Sequence, residues 1–563
     1  MKFIGKLLLS ILLILLLIII LIYVLLQTPW GAGWVSKWVT RHSDFQLSLE
    51  KIDHNWSDPT EISLINITFG QKGHPSTLVA KQLVAGISAR QFTDPFHFYR
   101  IQMQDGTLNM DASPPLSSLQ ADVLQLNGMA VQSPQGGWHL NGQNVNAGIT
   151  PWKPEKDFPL GRNARFQLSA STLTLNGVPA ENVLVQGEID NHQLKLDNLG
   201  ADLSQGELTG NARRDEDGSW WVDNLRLSNV RMQTEKSLND FLQQISQVPK
   251  ITIHRFDLID ARMEGKDWAF SDLDLTLRNI TFQDGDWSTD DGSLSFSASD
   301  LINGTVHLND PIANLAFSPQ GIEIRQFSGR WEGGLMRTSG RWLRDGRQLE
   351  LDEFMVAGLE YTLPANWRDS WQQPLPSWLA QVTVDKFTAN RNLLIDINPA
   401  FPFQITALDG YGKQLELARN HQWGIWSGSL NLNGSDATFN KIDVRRPSLA
   451  LTADPDKITV TDLSAFAGDG LVEVTALMNQ QPARNFSLNL TGKAVPLDVM
   501  GRWGWPAMPL SGNGNVQLTL TGQLTAQAPL RPTLNGRLQA VDAKGQSLNQ
   551  TMTQGEVAED AAH

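Results

Sequence analysis

"LKLDNLGADLSQGELTG", residues Leu194–Gly210, sets the reading of the whole chain. Leu194 and Leu196 alternate with Lys195 and Asp197, the two-residue period of a strand with one apolar and one wet face. Leu199 arrives after an odd step, so in an unbroken strand it would point to the opposite face. A bulge or bend between Leu196 and Leu199 returns it to the same side. Gly206 then fits a tight turn, and Leu208 opens the next strand. The same order recurs at Ile322, Ile324, Phe327, Gly334 and Met336, and again at Ile458, Val460, Leu463, Gly470 and Val472. Residue frequencies give about half an occurrence by chance in a chain of this length, so three copies suggest a repeat. A second element strengthens it: "ITIHRF" from Ile251 and "VTVDKF" from Val382 precede the second and third copies by 71 and 76 residues. The unit is about 130 residues long.

The same alternation appears in Leu273, Leu275 and Leu277 and in Val516, Leu518 and Leu520, so most of the chain reads as two-faced strand. Helical stretches are few. "SLNDFLQQISQ" from Ser237 predicts a short amphipathic helix behind a serine cap, suited to covering a sheet. Pro-rich passages at Pro151–Pro159, Pro364–Pro376 and Trp503–Pro509 read as joints, and the polar stretch after Gly545 reads as a disordered tail. The expected organisation is a cytoplasmic N-terminus (1–6), a transmembrane helix (7–26), an N-terminal β-rich region (27–230), a central repeat unit (231–375), a C-terminal repeat unit (376–544) and the tail (545–563).

The membrane segment rests on Leu7–Leu26, "LLLSILLILLLIIILIYVLL", twenty residues without a charge. At the helical rise of about 1.5 Å per residue they cover a hydrocarbon core of about 30 Å. A cleaved signal peptide would carry a shorter apolar run with small residues directly after it, whereas Gln27-Thr28-Pro29 follows here. Lys2 and Lys6 precede the span and favour a cytoplasmic N-terminus, although Lys37 and Arg41 soften the asymmetry. Trp30, Trp34 and Trp38 recur every four residues, so on a continuing helix they line one face at headgroup depth; packing into the first folded domain is the alternative.

Composition narrows the function classes. The net charge is −14, from 45 basic and 59 acidic residues, with no basic stripe to follow a phosphate backbone, which argues against nucleic acid. Cysteine is absent, which excludes disulfides, thiolate nucleophiles and Cys-based zinc sites. The ten histidines are scattered singly, and no P-loop, G-x-S-x-G elbow or H-E-x-x-H occurs. Acidic clusters at Asp215 and Asp284 lack calcium-loop spacing. The reading is a non-enzyme without catalytic residues, metal or cofactor. Tryptophan pairs such as Trp220-Trp221 and Trp503, Trp505 are either lipid-facing or core-filling.

The N-terminal anchor followed by "FQLSASTLTLNG", "ENVLVQGEI", "LKLDNLGADLSQGELTG", "KDWAFSDLDL" and "PLSGNGNVQLTLTG" resembles the AsmA-like proteins of the Gram-negative envelope. The resemblance rests on diffuse strand patterns over nearly the whole chain. It implies a mostly β fold, an elongated, repeating, curved sheet forming an apolar groove with a few short helices, behind one transmembrane helix in the inner membrane with the body in the periplasm. It implies a role in binding or conducting phospholipid in support of outer-membrane lipid homeostasis. The alternative is a non-enzymatic scaffold that affects outer-membrane protein assembly or protein targeting to the membrane, with envelope protein partners not identified. Moving a two-chain lipid through water exposes about thirty methylenes at about 0.8 kcal/mol each, above about 20 kcal/mol in all. A repeated apolar strip would replace bilayer hydrocarbon along the way. The candidate groove residues are Leu194, Leu196, Leu199, Leu208, Ile322, Ile324, Phe327, Met336, Ile458, Val460, Leu463 and Val472, with Trp30, Trp34 and Trp38 at the membrane interface. Alternation alone fits equally a closed β-sandwich in which those faces bury one another.

Overall fold

In the computed structural model the alternating segments are strands, and the chain is mostly β. The structure describes residues 2–559 apart from 111–118, 134–138, 156–159, 176, 192, 246–249, 507 and 526–528. Five α-helices occur among the described residues: α1 (Lys2–Leu26), α2 (Pro29–His42), α3 (Leu238–Ile245), α4 (Trp367–Gln372) and α5 (Asp498–Arg502). Packing divides the chain within the hairpin that follows residue 250: one unit holds residues 1–264 and 276–287, the other 265–275 and 288–563.

The apolar segment Lys6–Leu26 of α1 is long and apolar enough to cross a membrane, which is compatible with a single-pass anchor. The helix does not continue through the tryptophans. It stops at Leu26, and Thr28 caps a new helix by accepting the Gly31 N–H at 3.3 Å, with Pro29 in the first turn where a missing N–H is harmless.

In the first unit the strands from Phe45 onwards pair with near neighbours in the chain, antiparallel except that His97–Asn109 runs parallel to Gln120–Ser133. A core forms from residues such as Ile101, Met103, Leu124, Met129 and Val145, all nearly inaccessible. The strand Gln193–Leu203 pairs with Gly206–Arg214, which pairs with Trp220–Ser228. That strand and its continuation Arg231–Gln233 then lie parallel to Lys250–Gly265. A parallel neighbour requires a crossover, and α3 lies in it. Ser237 caps α3 as its sequence predicts, with the Asp240 N–H donating to its hydroxyl at 3.2 Å.

The second unit repeats this order. Gly321–Trp331 pairs with Gly334–Leu343, then with Gln348–Ala357, which together with Glu360–Thr362 runs parallel to Gln381–Asp396 across the crossover containing α4. "ITIHRF" and "VTVDKF" therefore hold the same place, Ile251 opposite Trp220 and Val382 opposite Leu349. The third copy departs: after Lys457–Ala467, Gly470–Asn479 and Asn485–Pro496, the chain passes through α5 and returns antiparallel as Asn513–Gln523.

Two expectations are corrected here. Residues 547–559 are not a disordered tail but the strands Ser547–Thr553 and Glu556–Glu559, held because Leu548, Gln550 and Met552 are buried; residues 560–563 lie outside the described residues. The Trp503–Pro509 passage is not simply a joint: Trp505 is buried with its indole N–H on the Gln550 side-chain oxygen at 2.7 Å, and Trp503 donates to the Phe439 carbonyl at 3.1 Å. With Leu497, Val499 and Met500 these rings cover the apolar face of the last strands. Of the Pro151–Pro159 passage, residues 156–159 lie outside the described residues, and Pro364–Pro376 contains α4.

Candidate functional site

The odd step that the repeat requires is a bulge in every copy. Register shifts fall between Leu196 and Leu199, between Ile324 and Phe327, and between Val460 and Leu463. Each spends one extra residue and so restores the third apolar side chain to the face of the first two.

Residues directly opposite on paired strands share a face, so the registers define apolar ranks running across the strands. In the first unit one rank is Phe166, Gly187, Leu196, Ala212, Val222 and Ile253; the next is Leu168, Val185, Leu199, Gly210, Leu225 and Phe256. Leu208 joins a third with Ala201, Leu227 and Leu258, while Leu194 stands between Ile189 and Arg214, so that outermost rank is not wholly apolar. In the second unit Ile322 lines up with Trp342, Leu349 and Val382, and Ile324 with Gly340, Leu351 and Val384. Phe327 and Val460 fall in one rank, through Thr338, Phe354, Phe387, Gly412, Leu430 and Leu451. Met336 and Leu463 share the neighbouring rank, through Val356, Ala389, Gly410, Leu432 and Leu449. Ile458 lies beside Ala453 and Met478, and Val472 beside Ala465 and Gly492.

These faces are unequally open. Leu194, Leu196, Leu199, Leu208, Ile322, Ile324, Phe327, Met336 and Val460 are half-buried, and Leu463 is 41% exposed. Ile458 and Val472 are buried, and Val472 belongs to the closed core beneath α5, so it lines no open face. The large closed cores gather in residues 32–201 of the first unit and 437–552 of the second, and a smaller cluster joins Val356, Leu359 and Ala389 with Met336, Phe354 and Phe387 of the ranks. The total accessible surface is 32,315 Å². Two compact bodies each of half this mass would expose about 24,000 Å² together. Part of the excess is the exposed apolar helix α1, and part is strand side chains left open, such as Leu463.

The repeat glycines do something the sequence did not show. Gly206, Gly334 and Gly470 are not the strained turn residues; each is the first strand residue after the turn, opposite Leu203, Trp331 and Ala467. The left-handed positions are Ser204 and Gln205, Glu332 and Gly333, and Gly468. A Cβ on Gly206 would meet the Ser228 oxygen at 2.3 Å, on Gly334 the Leu359 nitrogen at 2.4 Å, and on Gly470 the Ala494 oxygen at 2.3 Å. At each place the third strand crosses over through a left-handed residue, Asn229, Gly358 or Ala494, and buries the next side chain, Val230, Leu359 or Val495. These three apolar residues went unnoticed in the sequence; an Asn, Gly or Ala before a branched aliphatic residue at the end of the third strand was the available signal.

Trp30, Trp34 and Trp38 lie on α2 and are exposed, while Ala32 is buried on the opposite side of that helix and Gly31 is buried against the end of α1. Each of the three rings is more than half exposed. Trp220 is on the apolar face opposite Ile251, whereas Trp221 is on the other, under the Arg213 guanidinium at 5.1 Å and donating to Asp215 at 2.6 Å.

A helix able to anchor the chain, followed by hairpins with one-sided apolar ranks, defines the class, and the chain belongs to the AsmA family. Over 559 residues it is 52% identical to the AsmA family protein YicH of Escherichia coli (strain K12), covering 99% of this chain and 98% of that protein. No protein-family model matches the chain.

Proposed function

We propose that this is a non-enzymatic protein of the bacterial envelope, held in the inner membrane by α1 with its N-terminus cytoplasmic and its body periplasmic, that binds or conducts phospholipid acyl chains along the apolar sheet faces. Support for the orientation comes from Lys2 and Lys6 ahead of the span. The observation that carries the lipid reading is the ranks themselves: one face stays apolar over many strands, and although Val356, Ala389 and Leu451 on it are buried, Phe327, Phe354, Phe387, Leu430 and Val460 remain only half-buried. Such a face keeps hydrocarbon dry at successive equivalent positions, and its uniformity favours movement over retention in one deep pocket.

Photocrosslinking amino acids at Leu196, Ile324 and Val460, introduced into the full chain in cells, should capture phospholipid. The same group at Glu323, on the opposite face, and at Leu538, which is fully buried, should not. Adducts at the three ranked positions no stronger than at Glu323 would sink the lipid reading. A stable envelope-protein partner without lipid would point to the scaffold alternative.

A further inference from the structure

Tyr23 lies three residues before the end of α1, in its last turn and about 4.5 Å along the axis from its last residue. Its hydroxyl is hydrogen-bonded to His54 Nδ1, and its ring lies 5.4 Å from that of Trp56. His54 and Trp56 belong to the body, at the turn between the strands Lys51–His54 and Glu61–Gln71. The turn is thereby tied to the membrane-crossing helix inside its apolar stretch. Trp56 is nonetheless 76% exposed.

The neighbouring loop ends on the same side of the sheet. Glu61 pairs with Gly86, and the Ile87 N–H donates to the Thr60 carbonyl at 2.7 Å, so residues 87–96 leave the sheet beside the 55–60 turn. That loop carries Phe92, 92% exposed, and Phe96, 60% exposed. Three large aromatic side chains left in water at one edge are an unusual surface for a soluble body. At headgroup depth they are what an interface selects. Charges nearby are mixed, with Asp58 and Asp94 as well as Arg90, so no basic patch draws this edge to anionic lipid.

We propose that this edge of the sheet, the 55–60 turn with the 87–96 loop, is a membrane-contact surface seated in the headgroup layer of the bilayer that α1 crosses, with Trp56, Phe92 and Phe96 as its inserting residues. The body then rests on the membrane by a second footing besides its helix, and its tilt against the bilayer is fixed. The inference rests on α1 as the anchor and is independent of lipid conduction.

Because the chain has no cysteine, single nitroxide labels can be placed in the full-length protein without background. Labels at Trp56→Cys, Phe92→Cys and Ser57→Cys, the last leaving all three aromatics in place, are compared in phosphatidylethanolamine–phosphatidylglycerol vesicles with Ile14→Cys in the span and Gln320→Cys in an exposed turn. Collision with a water-soluble nickel chelate should be several-fold lower at positions 56, 57 and 92 than at 320, with oxygen collision raised, and neither should change in high salt. A deeply buried label at 14 together with labels at 57 and 92 as nickel-accessible as that at 320 overturns the proposal while leaving the anchor. A label at 14 as accessible as that at 320 removes the anchor and the proposal with it.

Discussion

Gly334→Ala is expected to destabilise its repeat more than Gly333→Asn does, although Gly333 is the residue with positive φ. The added methyl would stand 2.4 Å from the Leu359 nitrogen and 2.6 Å from the Ala357 oxygen, both backbone atoms of the crossing strand. An ordinary contact is roughly 1 Å longer, so the end of the third strand must move, at a cost of about 1–3 kcal/mol. Gly333, at φ 75°, meets nothing within 4 Å, and asparagine tolerates that conformation. Gly333→Asn should therefore change stability by only a few tenths of a kcal/mol, on the order of a surface substitution. Hydrogen exchange read by mass spectrometry on the full-length protein resolves this locally, which suits a chain of two packing units whose global unfolding is not a single step. Amides of Gly321–Trp331 and Gln348–Ala357 should exchange roughly five- to one-hundred-fold faster in Gly334→Ala. Equal protection in Gly334→Ala and the wild type, or greater loss in Gly333→Asn, would refute the close-approach account.

Other outcomes follow from the same geometry. Deleting residues 545–563 should expose the Asn535–Asp542 edge and remove the Gln550 partner of Trp505, making the segment from 498 onwards protease-sensitive; an unchanged digest would mean those strands contribute nothing. Gln550→Ala should destabilise the C-terminal core by about 1–3 kcal/mol, read as a lower denaturation midpoint, since it strands a buried indole N–H. The Asp300 carboxyl is held below its ordinary value of 3.8, first by the His307 side chain at 3.0 Å, with Asn309 adding a second bond. A depressed carboxyl contributes stability that is complete above the unfolded value and lost as pH falls through the folded one. Asp300→Asn should accordingly differ from wild type in hairpin protection near neutral pH and converge with it below about pH 3.8; a difference that grows towards acid would contradict this.

The strand period, the bulge and the α3 cap were legible because each is a property of a few consecutive residues. Leu196 and Leu199 differ in parity whatever surrounds them, and only a bulge can bring them to one face. The role of Gly334 was hidden because its reason lies at Leu359, twenty-five residues on, where a different strand crosses its Cα. Nor does alternation say whether a face is covered: Val472 and Val460 carry the same pattern, yet one is sealed beneath α5 and the other is half-buried. The C-terminal strands were missed because Gln550, polar in sequence, is buried by a hydrogen bond to a tryptophan forty-five residues earlier.

The pairing order also bears on how such a chain is made. Nearly every described strand finds its partner among those just before it, and the parallel pairs join strands that follow closely in the chain, His97–Asn109 with Gln120–Ser133 and those across the passages holding α3 and α4. A polypeptide emerging N-terminus first can therefore zip up hairpin by hairpin, needing at each moment only what has already left the exit. At any instant such a chain needs only one growing sheet edge to await its next neighbour.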